Sequence, residues 1–193
     1  MIKVFIGGSR RVYRLDPEVR RRIDRIIEKR LPVLIGDANG ADRAVQHYLR
    51  SRQYDHVEVF CAEGVCRNNV GNWPLRSIPA PNGKKDFNYY EAKDKVMANE
   101  SSVGLMIWDG KSVGTLMNVL RLISQQKKVV VYVVPMNEFT NVGNKADWDN
   151  FLTRFGNDLR SRIAERSAND KTRPPISTRV NLLSTNTSRM ESV

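Results

Sequence analysis

Short apolar segments rich in β-branched residues alternate with helix-period segments from Ile2 to Val134, and this alternation limits the fold more than any other feature of the chain. Ile2 to Ile6 reads as a first strand. Asp16-Pro17 then opens a helix to about Arg30, with Asp as N-cap and Pro at the first helical position. Pro32 to Ile35 is a second strand, Gly40 to about Arg52 a second helix, and Val57 to Cys61 a third strand. After a long loop, helix signals resume at Phe87 to Asn99. Val103 to Trp108 is a fourth strand, Val113 to Gln126 a helix and Val129 to Val134 a fifth strand. Continuously apolar strands joined through helices need a parallel sheet covered on both faces. Right-handed crossovers make such a sheet doubly wound.

The expectation is an α/β fold, Rossmann-like and doubly wound, with a mainly parallel five-stranded sheet and helices on both faces. It occupies residues 1–136. Residues 137–167 should supply an amphipathic helix packed on it, since Trp148, Phe151, Leu152, Phe155, Leu159 and Ile163 share one helical face between Trp148 and Arg166. Residues 168–193 are basic and rich in Ser and Thr, and read as a disordered tail. The stretch from Ala62 to Lys85 carries Trp73-Pro74, Pro79, Pro81 and Asn82-Gly83, all turn chemistry, and reads as a loop that is either a binding element or an insertion.

Composition sets outer bounds. Hydrophobic residues are 40% of the 193, enough for a packed core. No apolar run approaches the roughly 20 residues of a membrane span, and Met1 to Gly8 is too short and too glycine-rich for a signal peptide. A cytoplasmic protein without a membrane partner is expected. Cys61 and Cys66 are the only cysteines, and with His47 on a helix and His56 beside a strand they make a poor four-ligand zinc set. No metal and no cofactor is expected. The net charge of +11 favours polyanions and keeps a nucleic-acid partner in view. Much of it lies in Arg20, Arg21, Arg22, Arg25, Lys29 and Arg30, opposite Val19, Ile23, Ile26 and Ile27, where a solvated basic face is the first reading.

In a doubly wound sheet, ligands bind beyond the carboxyl ends of the strands, where the strand order reverses. Three strand ends carry suitable residues. After the first strand, Gly7 and Gly8 admit a ligand to the backbone, Ser9 offers a hydroxyl and Arg10 a phosphate-binding fork. After the second comes Gly36-Asp37-Ala38-Asn39-Gly40-Ala41-Asp42. Asn39 is placed to cap a helix with Asp42 answering it, and Gly36 and Gly40 leave the first N–H groups open. The charge of Asp42 suits a ribose hydroxyl better than a phosphate. After the fourth, Asp109-Gly110-Lys111-Ser112-Val113-Gly114-Thr115 presents a helix start to an anion, with Ser112 as N-cap. Gly114 is the informative residue. Gly inside a helix costs about 1 kcal/mol against Ala, so close approach of a ligand or a neighbouring backbone is its expected reason.

Two familiar phosphate motifs do not fit. A Walker A loop ending in Gly110-Lys111-Ser112 would need Gly where Leu105 stands, and no Gly-x-Gly-x-x-Gly follows any strand. What the loops do resemble, in order and at matching strand ends, is the SLOG superfamily, which includes Smf/DprA proteins, LOG phosphoribohydrolases and small stand-alone members. The resemblance is closest to the stand-alone members and covers Met1 to about Pro135. It implies a nucleotide-derived ligand held by Gly7, Gly8, Ser9, Arg10, Gly36, Asn39, Gly40, Asp42, Asp109, Gly110, Ser112, Val113, Gly114 and Thr115. Some SLOG proteins oligomerise, which leaves a homo-oligomer open.

LOG enzymes cleave an N-glycosidic bond with the Glu of a Gly-Gly-x-Gly-Thr-x-x-Glu motif and an upstream Arg. Here Gly114-Thr115-Leu116-Met117 is followed by Asn118, and the Arg position falls near Lys93. An amide cannot stabilise an oxocarbenium ion or activate water as a carboxylate does. Asp109, Lys93 and Glu91 are the catalytic candidates, with Asp94, Asp37 and Glu63 as further carboxylates, although Glu91 and Asp94 also suit an exposed helix face. The reading is a SLOG-type protein that binds a phosphate-bearing nucleotide or nucleotide derivative. An N-glycosidase or transferase acting on nucleosides or nucleotides is the first alternative, and a DprA-like nucleic-acid-binding module the second. Trp73, Phe87, Tyr89 and Tyr90 are aromatics available for stacking on bases.

Overall fold

A computed structural model describes residues 1–64, 66–79 and 87–169 of the chain. The alternation gives β1 (Val4–Gly8), α1 (Pro17–Glu28), β2 (Val33–Gly36), α2 (Ala41–Ser51), β3 (Val57–Ala62) and β4 (Leu75–Ile78). It continues with α3 (Phe87–Glu100), β5 (Val103–Trp108), α4 (Val113–Ile123) and β6 (Lys128–Val133). A 3-10 turn (Val134–Met136) leads to β7 (Glu138–Val142), α5 (Lys145–Thr153) and α6 (Asn157–Asn169). The strands form one seven-stranded sheet in the order β4-β3-β2-β1-β5-β6-β7, so the expected five strands become seven. Every neighbouring pair is parallel except β6 and β7.

Both extra strands are edges. β4 lies inside the stretch read as a loop, and its outward residues are exposed or half-buried, so it lacks the continuous apolar run of a central strand. β7 returns antiparallel along β6 and has one buried residue, Val142. The single helix expected from Trp148 to Arg166 is two helices, broken between Thr153 and Asn157. Gly156 sits in open space at the break. The apolar stripe survives it: Trp148, Phe151, Leu152, Leu159 and Ile163 are all buried. The 168–193 tail lies, apart from the last residues of α6, outside the described residues, as do Pro81 and Asn82-Gly83.

Alternate residues of the central strands enter opposite cores. Phe5, Met106 and Trp108 pack with α3, α4, α5 and α6, while Val4, Ile6, Leu105 and Ile107 pack with α1 and α2. The sheet is therefore covered on both faces. On α1, Arg20, Arg21 and Arg25 are exposed, Arg21 pairs with Glu18, and Arg22 lies over the Phe139 ring at 4.9 Å. From β1 the chain winds outward to β2, β3 and β4; it then returns to β5, beside β1, and winds the other way. The order reverses between β1 and β5. Among the described residues, no helix is long and apolar enough to cross a membrane.

Candidate functional site

The loops leaving β1 and β5 are fastened to each other at the reversal point. Ser9 Oγ donates to Asp109 Oδ1 at 3.0 Å and accepts from the Asp109 N–H at 3.1 Å, with Thr115 Oγ1 also 3.1 Å away. Asp109 Oδ1 further accepts the N–H groups of Lys111 at 3.0 Å and Ser112 at 2.8 Å. One carboxylate thus folds the turn that starts α4. Two expectations change. Ser9 is fully buried and serves as a staple rather than a hydroxyl offered to a ligand. Asp109 lines the cleft but its Oδ1 is taken up by the turn, which makes it a weak candidate for base catalysis.

Beyond this staple lies a cleft of about 850 Å³, a volume suited to a small-molecule ligand. Gly7, Gly8, Arg10 and Asp42 line it, with Ser112, Val113, Gly114 and Thr115 from the α4 start. Gly114 answers the question its presence raised. A Cβ there would meet only Arg166 Nη2, at 4.0 Å, so no neighbouring backbone requires the glycine. Arg10, Arg11 and Lys111 at the rim are exposed and form no ion pair among the described residues. The α1 arginines contribute nothing to this cleft.

The loop after β2 differs from the expectation. Gly40, not Asn39, is the N-cap of α2, at φ +83° against the Arg10 backbone, a geometry that excludes a side chain. Asn39 is exposed and accepts from Asn68 Nδ2 at 3.0 Å. The first N–H of α2 is not open either, because Ala41 donates to the Ser9 carbonyl at 3.1 Å. Asp42 reaches back to the Ala38 N–H at 3.2 Å instead of to an N-cap. Gly36 is buried beneath the cleft, and Gly110 forms a turn against Pro135.

What occupies the floor is a buried charge cluster that the sequence did not disclose. Lys93, on α3, is 4% exposed and donates to Asp94 Oδ1 at 2.8 Å, with Asp37 Oδ1 at 3.9 Å. A Cβ on Gly36 would stand 2.5 Å from Asp42 Oδ2 and 2.6 Å from Lys93 Nζ, which shows how closely these two groups converge. Asp37 is clamped by Arg67, whose Nη2 and Nε donate at 2.6 and 3.1 Å and whose backbone N–H adds a third bond. Burial would discharge Lys93, but Asp94, Asp42 and Asp37 outweigh it and hold the ammonium above its usual range. A lysine held charged is no amine nucleophile. Burial likewise pushes the Asp37 and Asp94 carboxyls up, and their cations prevail and hold both below the usual value. For Asp37 these are Arg67 and Lys93, and for Asp94 Lys93 and Arg121.

Asp42 goes the other way. Burial pushes it up to about 6, only partly opposed by Lys93. A carboxyl raised in the folded state binds its proton more tightly there, so its contribution to stability falls as pH rises from 3.8 to about 6. The lowered Asp37 and Asp94 act below that window, losing their contribution as pH drops under 3.8. Urea denaturation across pH should reveal a component that declines by up to about 3 kcal/mol between pH 4 and 6. Asp42→Asn should abolish it, and an unchanged slope in that variant would exclude Asp42 as its source.

Glu91 and Asp94 do not lie on an exposed helix face. Glu91 is 6% exposed and takes Arg121 Nη2 at 2.5 Å on one oxygen and Arg166 on the other. Asn118 joins the two groups, donating from Nδ2 to Asp94 Oδ2 at 3.2 Å and accepting from Arg121 Nη1 at 2.7 Å. A glutamate at this position would keep an acceptor for Arg121 but set a second carboxylate against Asp94, where the amide donates a hydrogen bond instead.

Of the aromatics, Trp73 and Tyr89 are buried in packing, while Tyr90 lines the cleft with Arg10 and Arg67 over its ring at 5.1 and 4.7 Å. The side chain of Phe87 lies outside the described residues. Glu63 is exposed and stands off the cleft. Burial raises both thiols, Cys66 to about 11, so neither is a ready nucleophile. Among the described residues no three His, Cys, Asp or Glu side chains are placed to hold a metal ion.

Comparison of the chain with protein-family models, with curated proteins and with solved structures gives no match.

Proposed function

We propose that this cleft binds a phosphate-bearing nucleotide or nucleotide derivative, in the manner of a Rossmann-like SLOG ligand-binding or sensor protein. The observation that carries the reading is Gly114: a glycine in the first turn of α4 that faces open cleft and has no packing reason to be glycine. The start of a helix offers N–H groups and a positive dipole end to an anion. Lys111, Arg10 and Arg11 stand at the rim to receive further phosphate charge. Asp42 is a partner for a ribose hydroxyl, and the Tyr90 ring for a base that displaces the Arg10 guanidinium from over it. Isothermal titration with nucleotides, ADP-ribose forms and cyclic nucleotides should find binding that is stronger for phosphorylated ligands than for their nucleosides. Absence of binding across that panel sinks the proposal.

A second reading, an N-glycosidase or transferase acting on nucleosides or nucleotides, draws support from Asp94. Its carboxylate lines the cleft, is held ionised by Lys93, and is oriented by Asn118. With both oxygens already accepting hydrogen bonds, it would serve as electrostatic support for an oxocarbenium ion rather than as a base. Chromatography of nucleotides incubated with the protein would show released base, lost in Asp94→Asn. No release from any substrate argues against turnover.

A further inference from the structure

The cleft has a wall that the strand-end loops do not provide. α6 brings Arg162, Glu165 and Arg166 to its margin. Arg162 and Glu165 are exposed, and Arg162 faces Asp158 one turn away at 3.6 Å. Arg166 is different, because it reaches inward across the cleft. Its Nε and Nη2 donate to Glu91 Oε1 on α3 at 2.9 and 2.5 Å. Two bonds to one oxygen fix the plane of the guanidinium and so fix its aim. Glu91 is in turn held by Arg121, which keeps the carboxylate from following a moving α6.

The aimed group stands over the α4 start. Nη2 of Arg166 is the nearest atom to the space above Gly114, 4.0 Å from where a Cβ would be. Helix start below and guanidinium above enclose one seat, open to the cleft. Planar, permanently charged and pre-oriented by a buried carboxylate, an arginine here suits a phosphate better than a lysine would.

We infer that α6 is the outer wall of the ligand site and that Arg166 binds the ligand's phosphate opposite Gly114. This rests on the nucleotide reading above and adds to it a residue far outside the strand-end loops. An arginine that only tethers α6 to α3 would make the same bonds to Glu91, so the test must separate tethering from binding.

The probes are the four nucleoside 5′-monophosphates AMP, GMP, CMP and UMP and their matching nucleosides, titrated against the full chain. The quantity read is the preference for each nucleotide over its nucleoside. In Arg166→Gln this preference should fall tenfold or more while nucleoside affinity holds. Glu91→Gln keeps the guanidinium and removes only the carboxylate that aims it, so the preference should fall by clearly less than in Arg166→Gln. Thermal unfolding checks that both variants fold. If Arg166→Gln does not, Arg166→Lys, which keeps the charge but not the planar fork, should show a smaller loss of the same preference. An unaltered preference in the variant at Arg166, or equal loss of it in the two Gln variants, overturns the inference and leaves the nucleotide reading standing. A wild-type chain that binds none of the eight probes overturns the inference, and the nucleotide reading falls with it when the ADP-ribose forms and cyclic nucleotides fail as well.

Discussion

Replacing Lys93 by Met should cost about 3–5 kcal/mol of stability at pH 7.5, the usual consequence of removing one partner from a buried ionic group. The side chain is 4% exposed and stands among Asp37, Asp42 and Asp94. Arg67 would still neutralise Asp37 through its two side-chain bonds, but Asp94 would keep only Asn118 and the more distant Arg121. Asp42, already raised to about 6 by burial, would lose the cation that most opposes that rise. All three carboxyls should therefore titrate upward in the variant. A raised acid regains stability on protonation, so the deficit should shrink as pH falls from 7.5 to 5, where the wild-type Asp37 and Asp94 remain ionised. Urea denaturation at both pH values measures this. A deficit below about 1 kcal/mol, within the range of an exposed ion pair, would show that the cluster carries no such weight, and a deficit independent of pH would show that its carboxylates do not sense Lys93.

Gly114→Ala should raise stability and lower affinity together. The new methyl meets nothing closer than 4.0 Å, so the folded chain accepts it without strain. Alanine is favoured over glycine within a helix by about 1 kcal/mol, an upper figure for a first-turn position. The same methyl occupies the seat proposed for the phosphate. Losing one hydrogen bond to a charged group costs about 1.5–3 kcal/mol, which is roughly a ten- to hundredfold loss of affinity. Opposite signs make the result informative, because a misfolded variant loses both properties. Binding within twofold of the wild type would mean that no ligand comes near Gly114.

The central strands were legible because they are buried on both sides and read as unbroken apolar runs. Val33 to Ile35, Val103 to Trp108 and Val129 to Val133 lie in strands that each pair with two neighbours. β4 and β7 have one neighbour apiece, and half their residues answer to solvent rather than to a core. Leu75-Arg76-Ser77-Ile78 therefore reads as loop, and Glu138 to Val142 has no run to read. The break between α5 and α6 was hidden for the opposite reason, since Phe155 keeps the apolar spacing intact while the backbone leaves the helix.

At the site, local chemistry was readable and long-range pairing was not. Gly7, Gly8, Arg10, Ser112 and Gly114 stand at strand ends and do line the cleft. Ser9 looked the same in sequence, yet the staple to Asp109 lies 100 residues away and no nearby residue announces it. Asn39 looked like a cap because caps are local, but the approach of the Arg10 backbone gave that place to Gly40.

By itself the sequence determined the layered α/β architecture and the strand ends that line the cleft, since both follow from periodicity and from residues a few places apart. Only the tertiary structure decided the charges. Glu91 finds Arg121 at a separation of 30 residues and Arg166 at 75, and Lys93 collects carboxylates from α2, from the loop after β2 and from its own helix. A charged residue on a helix reads as solvent-facing because burying it alone is prohibitive, and its partners become visible only when the chain has brought them within a few ångströms.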